Sequence, residues 1–247
     1  MSAIDSSVRP RPHTPRRAAI ATAVSAMLLG LLVGLLPGGS VAQESVDART
    51  VAGAVQAFYE QTRGVQAQFY QTYYHKLYDR YDRSRGRVVF AKPGKMRWTY
   101  ARPNGKVITS DGSQLIVFEP GDPGQRGQCF QQRMSEHQLP AAFSFLTGTG
   151  RLEQDFTFRL LNARRQGYPA GYVLELRPRE PSPQYDRILF YVLKQDGRPT
   201  GVVRRVLIVD PAGNRNRFDF SQLQWNPRVG ANTFRFSPPG GVRCVRP

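Results

Sequence analysis

The residues that could perform acid–base or metal chemistry are few and widely separated. The chain has three histidines, and only His75 and His137 lie outside the N-terminal segment described below. Neither has cysteines or acidic residues at the spacings typical of a zinc site, and Asp111 precedes Gly112 in a sequence typical of a turn. The sequence has no Gly-x-Ser-x-Gly elbow, phosphate-binding loop or paired carboxylates. It therefore predicts no catalytic residues, no metal site and no cofactor.

The two cysteines, Cys129 and Cys244, are the other reactive side chains. In an oxidising compartment they can pair, and two unpaired thiols are the alternative. A bridge would close a loop of about 115 residues, which stabilises a fold by up to roughly 4–5 kcal/mol in the chain-entropy model. We expect the disulfide to form.

The first 42 residues are typical of a secretory signal peptide. Arg16 and Arg17 precede an apolar run over residues 18–36, and a Pro-Gly-Gly break and a small-residue cleavage site follow before Gln43. The alternative is an uncleaved anchor, because the run could nearly span a bilayer. A bacterial lipoprotein would need a cysteine where Gln43 stands. We therefore expect a mature chain without an acyl anchor, soluble in the periplasm.

The mature chain, residues 43–247, has the size of a single β-rich domain. The whole chain has a formal net charge of +17, and removing four arginines and one aspartate with the leader leaves +14. Such a balance favours acidic partners, namely nucleic acid, anionic headgroups or an acidic protein surface. Because the chain is expected to be exported, nucleic acid is the least suitable of these and is not expected as a partner.

The mature chain predicts one helix followed by many short strands. Apolar residues at helical spacing favour a helix over residues 51–63, the apolar stretch 139–148 favours a second, and residues 79–85 predict a charged hairpin tip. Turn residues separate short alternating segments. The predicted strands are 65–74, 86–90, 96–100, 106–109, 114–118, 156–160, 172–177, 187–193, 202–209, 217–220, 223–225 and 234–236.

About ten or eleven strands with hairpin-length gaps predict an antiparallel sheet, since no helix is long enough for parallel crossovers. A sheet of this size must close, stack or curl around something. A curled sheet with helices against its concave side accounts for both predicted helices and can leave an apolar cavity. The predicted fold is mainly β (α+β), a half-open antiparallel barrel.

An ordered set of motifs resembles the LolA outer-membrane lipoprotein carriers. A G-x-x-x-F-x-R-P-like segment at residues 86–93 continues into Lys-Met-Arg-Trp-Thr-Tyr at 95–100. A Ser-Asp-Gly turn follows at 110–112, and residues 234–242 read Phe-Arg-Phe-Ser-Pro-Pro-Gly-Gly-Val. The resemblance extends over residues 51–245, nearly the whole mature chain, and rests on the order of the motifs rather than on any single one.

The resemblance implies an incomplete barrel of about eleven strands with a helical lid, here residues 140–146, over a hydrophobic cavity. Members of the family are periplasmic chaperones, not enzymes. They accept acylated lipoproteins from an inner-membrane ATP-driven releasing complex and pass them to an acceptor lipoprotein on the outer membrane, where one is present. We expect a monomer with the same role.

The resemblance also suggests residues for the site. The family has an arginine that holds the lid shut, and here Lys92 takes its place. Lysine lacks the planar five-donor fork, so we expect a weaker or different latch, with a solvated turn lysine as the alternative. The residues expected to line the acyl-chain cavity, each of which could instead be ordinary core, are Tyr59, Met96, Trp98, Phe118, Phe143, Leu146 and Phe158.

Three other functions remain open. A related envelope sensor or glycolipid-binding protein would share the fold, and an outer-membrane acceptor lipoprotein would need the missing cysteine. A periplasmic acyl-ester hydrolase would need a nucleophile, a base and an acid, and the two remaining histidines lie in no recognisable motif.

Overall fold

The computed structural model describes residues 46–134 and 150–246, and its main element is an eleven-stranded antiparallel sheet. The six strands before the gap are β1 (Gly64–His75), β2 (Arg80–Ala91), β3 (Lys95–Tyr100), β4 (Val107–Asp111), β5 (Gln114–Glu119) and β6 (Gln128–Arg133). The five after it are β7 (Phe156–Leu161), β8 (Gly171–Pro178), β9 (Arg187–Gln195), β10 (Arg198–Val209) and β11 (Arg215–Trp225).

The strand order shows that the sheet is open. It runs β6-β5-β4-β3-β2-β1-β11-β10-β9-β8-β7, so the two halves of the chain form two meanders joined where β1 pairs with β11. The edge strands β6 and β7 do not pair with each other. This confirms the predicted fold class, a mainly β, half-open antiparallel sheet. The predicted lid at residues 139–148 lies outside the described residues.

Helix α1 (Ala48–Gln61) covers one face of the sheet. The Asp47 side chain caps it by accepting a hydrogen bond of 2.7 Å from the Thr50 backbone amide. Its buried side chains include Val51, Val55 and Tyr59, which fall on one face at helical spacing. The helix packs mainly on β10.

Gly201 allows this close approach. A side chain at this position of β10 would overlap the Ala54 carbonyl of α1, and the backbone φ of 81° favours glycine.

The two faces of the sheet bury different clusters. On the face under α1, which we call the inner face, one connected core joins side chains from β1–β3, β5 and β7–β11. Because strands from both ends of the sheet contribute to a single core, the sheet curls around it. The opposite, outer face carries a separate cluster formed by Val107, Phe118 and Cys129, which packs against Phe236 and Val242 of the C-terminal segment.

Some segments differ from the sequence prediction. Strand β6 lies in a region where no strand was predicted, and the predicted hairpin tip at residues 79–85 is largely the first half of β2. The predicted strand 234–236 is absent, because a 3-10 helix (Ala231–Phe234) and an extended stretch occupy this region. A one-turn helix, α2 (Leu152–Asp155), was also missed.

The predicted leader, residues 1–42, lies outside the described residues. No helix in the described part of the chain has the length and apolar character needed to span a membrane.

Candidate functional site

An aromatic cluster occupies the centre of the inner face. The ring of Trp98 lies 5.0 Å from Phe69, 5.7 Å from Phe90 and 5.3 Å from Phe218, in each case at a steep angle. Edge-to-face packing of this kind stabilises aromatic pairs beyond the burial of area alone. The cluster arises because every second residue of β2 and β3 points inward, which puts Met96 beside Trp98.

A small apolar cavity lies between α1 and this cluster. It leaves about 10 Å³ for the centre of a water-sized sphere, which is scarcely room for one water. Among the described residues, this cavity is therefore too small for an acyl chain, which could enter it only if the lining elements move apart. The cavity is lined by Tyr59, Val65, Ala67, Val88, Phe90, Val203, Val206, Phe220 and Leu223.

Two tyrosines contribute polar groups to this interior. Tyr59 is fully buried, and burial raises the pKa of its hydroxyl well above the ordinary value, with a smaller opposing effect from a hydrogen bond to the Val203 backbone. Burial also raises the pKa of Tyr100, to about 12. Both hydroxyls therefore stay neutral at physiological pH, as an apolar site requires.

Lys92 ties the end of α1 to the sheet. Its ammonium group donates hydrogen bonds to the backbone carbonyls of Tyr59 and Glu60, at 3.3 Å for Glu60. These carbonyls belong to the last turn of α1, where a positive charge is favoured, and the Tyr59 carbonyl also accepts a hydrogen bond of 3.2 Å from the Thr62 amide that caps the helix. Partial burial lowers the pKa of Lys92, opposed by the attraction of Glu60.

The helix that Lys92 contacts differs from the predicted lid. The resemblance suggested contacts with a lid helix at residues 140–146, which lie outside the described residues. In the described part of the chain, Lys92 instead contacts α1, the N-terminal helix that covers the inner face. The neighbouring backbone supports it, because the Lys92 amide donates to the Arg63 carbonyl at 2.9 Å.

The structure brings together some, but not all, of the residues expected to line the cavity. Tyr59, Met96 and Trp98 are buried in the inner core, and Phe158 is half-buried against it. Phe118 lies in the outer cluster, which corrects its assignment. Its neighbours in β5 explain this, because Leu115 and Val117 occupy the inward positions. Phe143 and Leu146 lie outside the described residues.

Several lining residues were not among those expected. Val203 and Val206 of β10 face α1 across the cavity, and Phe220 of β11 lies beside them. Their β-branched and aromatic side chains predicted strands, but strand propensity alone does not identify which strand lies under the helix.

Cys129 and Cys244 form a disulfide that fastens the C-terminal segment to β6. Backbone hydrogen bonds continue this attachment. The Val245 amide donates to the Cys129 carbonyl at 2.8 Å, and the Gln131 amide donates to the Val245 carbonyl at 2.9 Å. The segment therefore runs beside β6 in parallel for a short distance.

The histidines are placed only in part. His75 lies 2.8 Å from the Asp82 carboxylate at the end of β1, and His137 lies outside the described residues. Within the described ranges, no three histidine, cysteine or acidic side chains are grouped as a metal site would need.

Fold and site together define a half-barrel protein whose apolar interior is covered by a helix, a class suited to sheltering hydrophobic groups. Residues 60–237 match the family model described as "Outer membrane lipoprotein carrier protein LolA". The chain belongs to the LolA family.

Two relatives by sequence agree with this assignment. An "Outer-membrane lipoprotein carrier protein" of Cupriavidus pinatubonensis is 30% identical over 66% of this chain and 70% of its own length. One of Nitrosomonas europaea is 25% identical over 78% of this chain and 87% of its own length. Among solved structures, the LolA superfamily protein NE2245 of the same organism aligns with 77% of this chain and 98% of its own, at 17% identity and a TM-score of 0.42.

Proposed function

We propose that this protein is a LolA-type carrier that shelters the acyl chains of lipoproteins between α1 and the inner face of the sheet. The observation that carries the proposal is the apolar interior under α1, with its aromatic centre and the Lys92 contact at the end of α1. Its lining is apolar, as a site for acyl chains requires, and the described cavity must widen to hold one.

The energetics of transport favour a carrier whose interior closes when no cargo is bound. Each buried methylene contributes about 0.8 kcal/mol to the partition of a lipid chain, so an acylated protein almost never leaves a membrane unaided. A carrier must supply comparable apolar shelter and still release its cargo. A carrier that closes on itself when empty regains its own contacts on release, which lowers the apparent affinity for cargo.

The proposed setting is the periplasm. We infer that residues 1–42 are cleaved and that residues 43–247 act as one monomeric domain, without a cofactor or nucleic acid. The Cys129–Cys244 disulfide is typical of an oxidising compartment, and the carrier family is periplasmic. An inner-membrane ATP-driven releasing complex would supply the cargo, and an outer-membrane acceptor lipoprotein, where present, would receive it.

Trp98 and Phe118 make a matched pair for testing the site, because both are buried aromatics in the same half of the sheet but lie on its opposite faces. A photoreactive benzoylphenylalanine would be placed at each position in the mature protein expressed in cells. We expect illumination to crosslink the Trp98 derivative to acylated cargo and the Phe118 derivative to give little or none. Equal crosslinking at both positions, or none at either, would contradict the proposed site.

Mass spectrometry of the crosslinked material distinguishes the alternatives. Recovery of lipoproteins supports the carrier. Free lipid without protein would instead indicate a glycolipid-binding or sensor role, and cleaved acyl esters would indicate a hydrolase. Circular dichroism of both derivatives checks that the β-rich fold is retained.

A further inference from the structure

The hairpin formed by β1 and β2 extends beyond β3, its neighbour on the β2 side, whereas on the other side β11 accompanies β1 as far as Tyr74, which pairs with Arg215. β2 pairs with β3 only from Gly86 to Ala91, and the Arg85 carbonyl accepts the last contact, from Ala101. Residues 80–84 therefore have a strand neighbour only on the β1 side within the described chain. At about 3.3 Å per residue, this overhang is roughly 16 Å long.

The tip of this hairpin exposes large apolar side chains. Leu77 is 83% exposed and Tyr78 is 73% exposed. These are the largest exposed fractions among the large hydrophobic residues of the described chain. The leucine side chain has no polar atom to satisfy in water, so a leucine exposed at the tip of a hairpin suggests a hydrophobic partner.

Tyrosine and arginine side chains cover one side of the same hairpin. Because alternate residues share a face, Tyr74 and Tyr81 stand opposite each other, with ring centres 4.8 Å apart. Arg215 of β11 lies over the Tyr74 ring at 4.4 Å, and Arg83 lies over Tyr81 at 5.7 Å. Tyr70 and Arg85 face each other further along the same side, and both are exposed.

The charges of the hairpin leave this side basic. Both carboxylates have partners within the hairpin: Asp79 accepts a hydrogen bond from the Tyr74 hydroxyl at 2.9 Å, and Asp82 contacts His75 at 2.8 Å and Arg80 at 3.0 Å.

Lys76, Arg83 and Arg85 are exposed cations on the same hairpin. Together they form what we call the hairpin surface: Tyr70, Tyr74, Leu77, Tyr78, Tyr81, Lys76, Arg83, Arg85 and Arg215.

We propose that the hairpin surface docks on a bilayer rich in anionic phospholipids, with Leu77 and Tyr78 inserted at the headgroup boundary. Tyrosine prefers this boundary because its ring is apolar and its hydroxyl is wet. Arginine and lysine bury their stems and hold their charges among the phosphates. Because the pairing with β3 stops at Gly86, β3 does not obstruct the approach of the tip to a flat surface on the β2 side.

The hairpin surface is separate from the proposed acyl-chain site. Lys92 lies beside Arg63 at the start of β1, whereas the tip follows the end of the same strand. Docking and acyl binding can therefore be measured independently, and the failure of one does not imply the failure of the other.

The test is flotation of the purified mature protein with lipid vesicles of two compositions. One set contains phosphatidylglycerol and phosphatidylethanolamine in equal amounts, and the other contains only phosphatidylcholine. We expect binding to the anionic vesicles that weakens as salt is added, and much weaker binding to the neutral ones. No binding to anionic vesicles, or equal binding to both sets, overturns the proposal.

Two pairs of substitutions resolve the contributions. Leu77→Ser with Tyr78→Ser should weaken vesicle binding by at least about tenfold, since each removes apolar area that insertion would bury. Arg83→Gln with Arg85→Gln should weaken it by about 25-fold, or about fivefold for each cation near an anionic surface. Binding of an acyl probe to the interior should not change in either pair.

The matched control removes two exposed cations elsewhere. Arg164→Gln with Arg165→Gln, in the turn between β7 and β8, lowers the net charge by the same amount. We expect its vesicle binding to stay within about twofold of the parent. If this control loses as much binding as the Arg83 and Arg85 pair, the attraction is a property of the whole basic surface and the docking site is refuted. Retained binding after loss of Leu77 and Tyr78 refutes the inserted tip, and the hairpin would then suit an acidic protein partner.

Discussion

The inner and outer faces of this sheet both bury aromatic clusters, but their covers are held in different ways. On the inner face, α1 rests on apolar side chains and is tied by the Lys92 ammonium. On the outer face, the C-terminal segment is fixed by a disulfide and by hydrogen bonds to its backbone. In the proposed function the inner cover makes room for cargo, whereas the outer cover stays in place.

The contacts of the outer cover show why it is permanent. Arg97 of β3 donates to the carbonyls of Thr233 and Arg235, each at 3.0 Å, and the Thr109 hydroxyl lies 3.1 Å from the Phe234 carbonyl. An acyl chain could not replace these directional bonds, and leaving buried carbonyls unpaired is costly. Apolar contacts on the inner face are non-directional, so the proposed acyl chains could take the place of the contacts between α1 and the sheet.

Among the tests of this comparison, we expect the largest change in stability when the disulfide that holds the outer cover is removed. Replacing both Cys129 and Cys244 with alanine should lower the free energy of unfolding by up to about 4–5 kcal/mol, because the bridge closes a long loop. Binding of an acyl probe to the inner face should remain. Denaturant unfolding of parent and variant, with and without reductant, measures the difference.

The reduced parent should behave like the double variant, and reductant should not affect the variant itself. Thiol titration of the unfolded, unreduced parent should detect no free thiol. Two free thiols, or loss of acyl-probe binding in a variant that is still folded, would contradict the separation of the two faces.

A smaller effect is expected at Lys92. Lys92→Leu removes the donors to the end of α1 and keeps much of the packing, and a hydrogen bond to a charged group is worth about 1.5–3 kcal/mol. Because Lys92 is partly exposed, we expect the low end of this range and about tenfold tighter binding of an apolar dye. Transfer of a labelled lipoprotein to an acceptor should become slower, because a variant without the Lys92 contact gains less free energy when its interior closes after release.

Two further variants sharpen this prediction. Lys92→Arg should close the empty form more firmly, with weaker dye binding, because guanidinium can contact both carbonyls through its fork. Lys95→Leu removes an exposed lysine nearby and should change neither measurement. Parent-like binding and transfer in both Lys92 variants would show that Lys92 is an ordinary turn residue.

The smallest effect should appear at alkaline pH. Burial raises the pKa of Tyr100 from 10 to about 12, so the folded state keeps its proton where the unfolded chain loses it. The resulting stability is complete below pH 10 and is lost as the pH rises towards 12. At pH 11 the loss due to this residue is about 1.4 kcal/mol.

Unfolding of the parent and of Tyr100→Phe at pH 8 and pH 11 measures this contribution. The phenylalanine variant should lose less stability between the two values. As a control, Tyr168→Phe changes a partly buried tyrosine of the outer face. In this variant, binding of the apolar dye to the inner face at alkaline pH should equal that of the parent. An identical pH dependence in Tyr100→Phe and the parent would refute the assignment.

Local patterns in the sequence predicted most of the strands, and the exceptions have physical causes. β6 has the sequence Gln-Cys-Phe-Gln-Gln-Arg, which is polar because the strand lies at an edge. The first half of β2 is charged because the hairpin is exposed on both sides, so its pairing with β1 is not visible as a hydrophobic pattern.

The candidate site was predictable only in part, for a related reason. Alternation in β5 identifies two sets of side chains but not which set faces inward, because both faces of the sheet are covered. Phe118 was therefore assigned to the wrong face, while Trp98 and Met96 were placed in the interior. The contact between Lys92 and α1 joins residues about 30 positions apart, and no local pattern specifies it.

The attachment of Val245 beside β6 also affects how copies of this protein can associate. An open sheet has two edge strands, and each can accept a strand from another molecule. Here Val245 covers part of the β6 edge and pairs with the backbone of Cys129 and Gln131. The C-terminal segment thus reduces the number of unpaired backbone groups that β6 offers to a strand of another molecule.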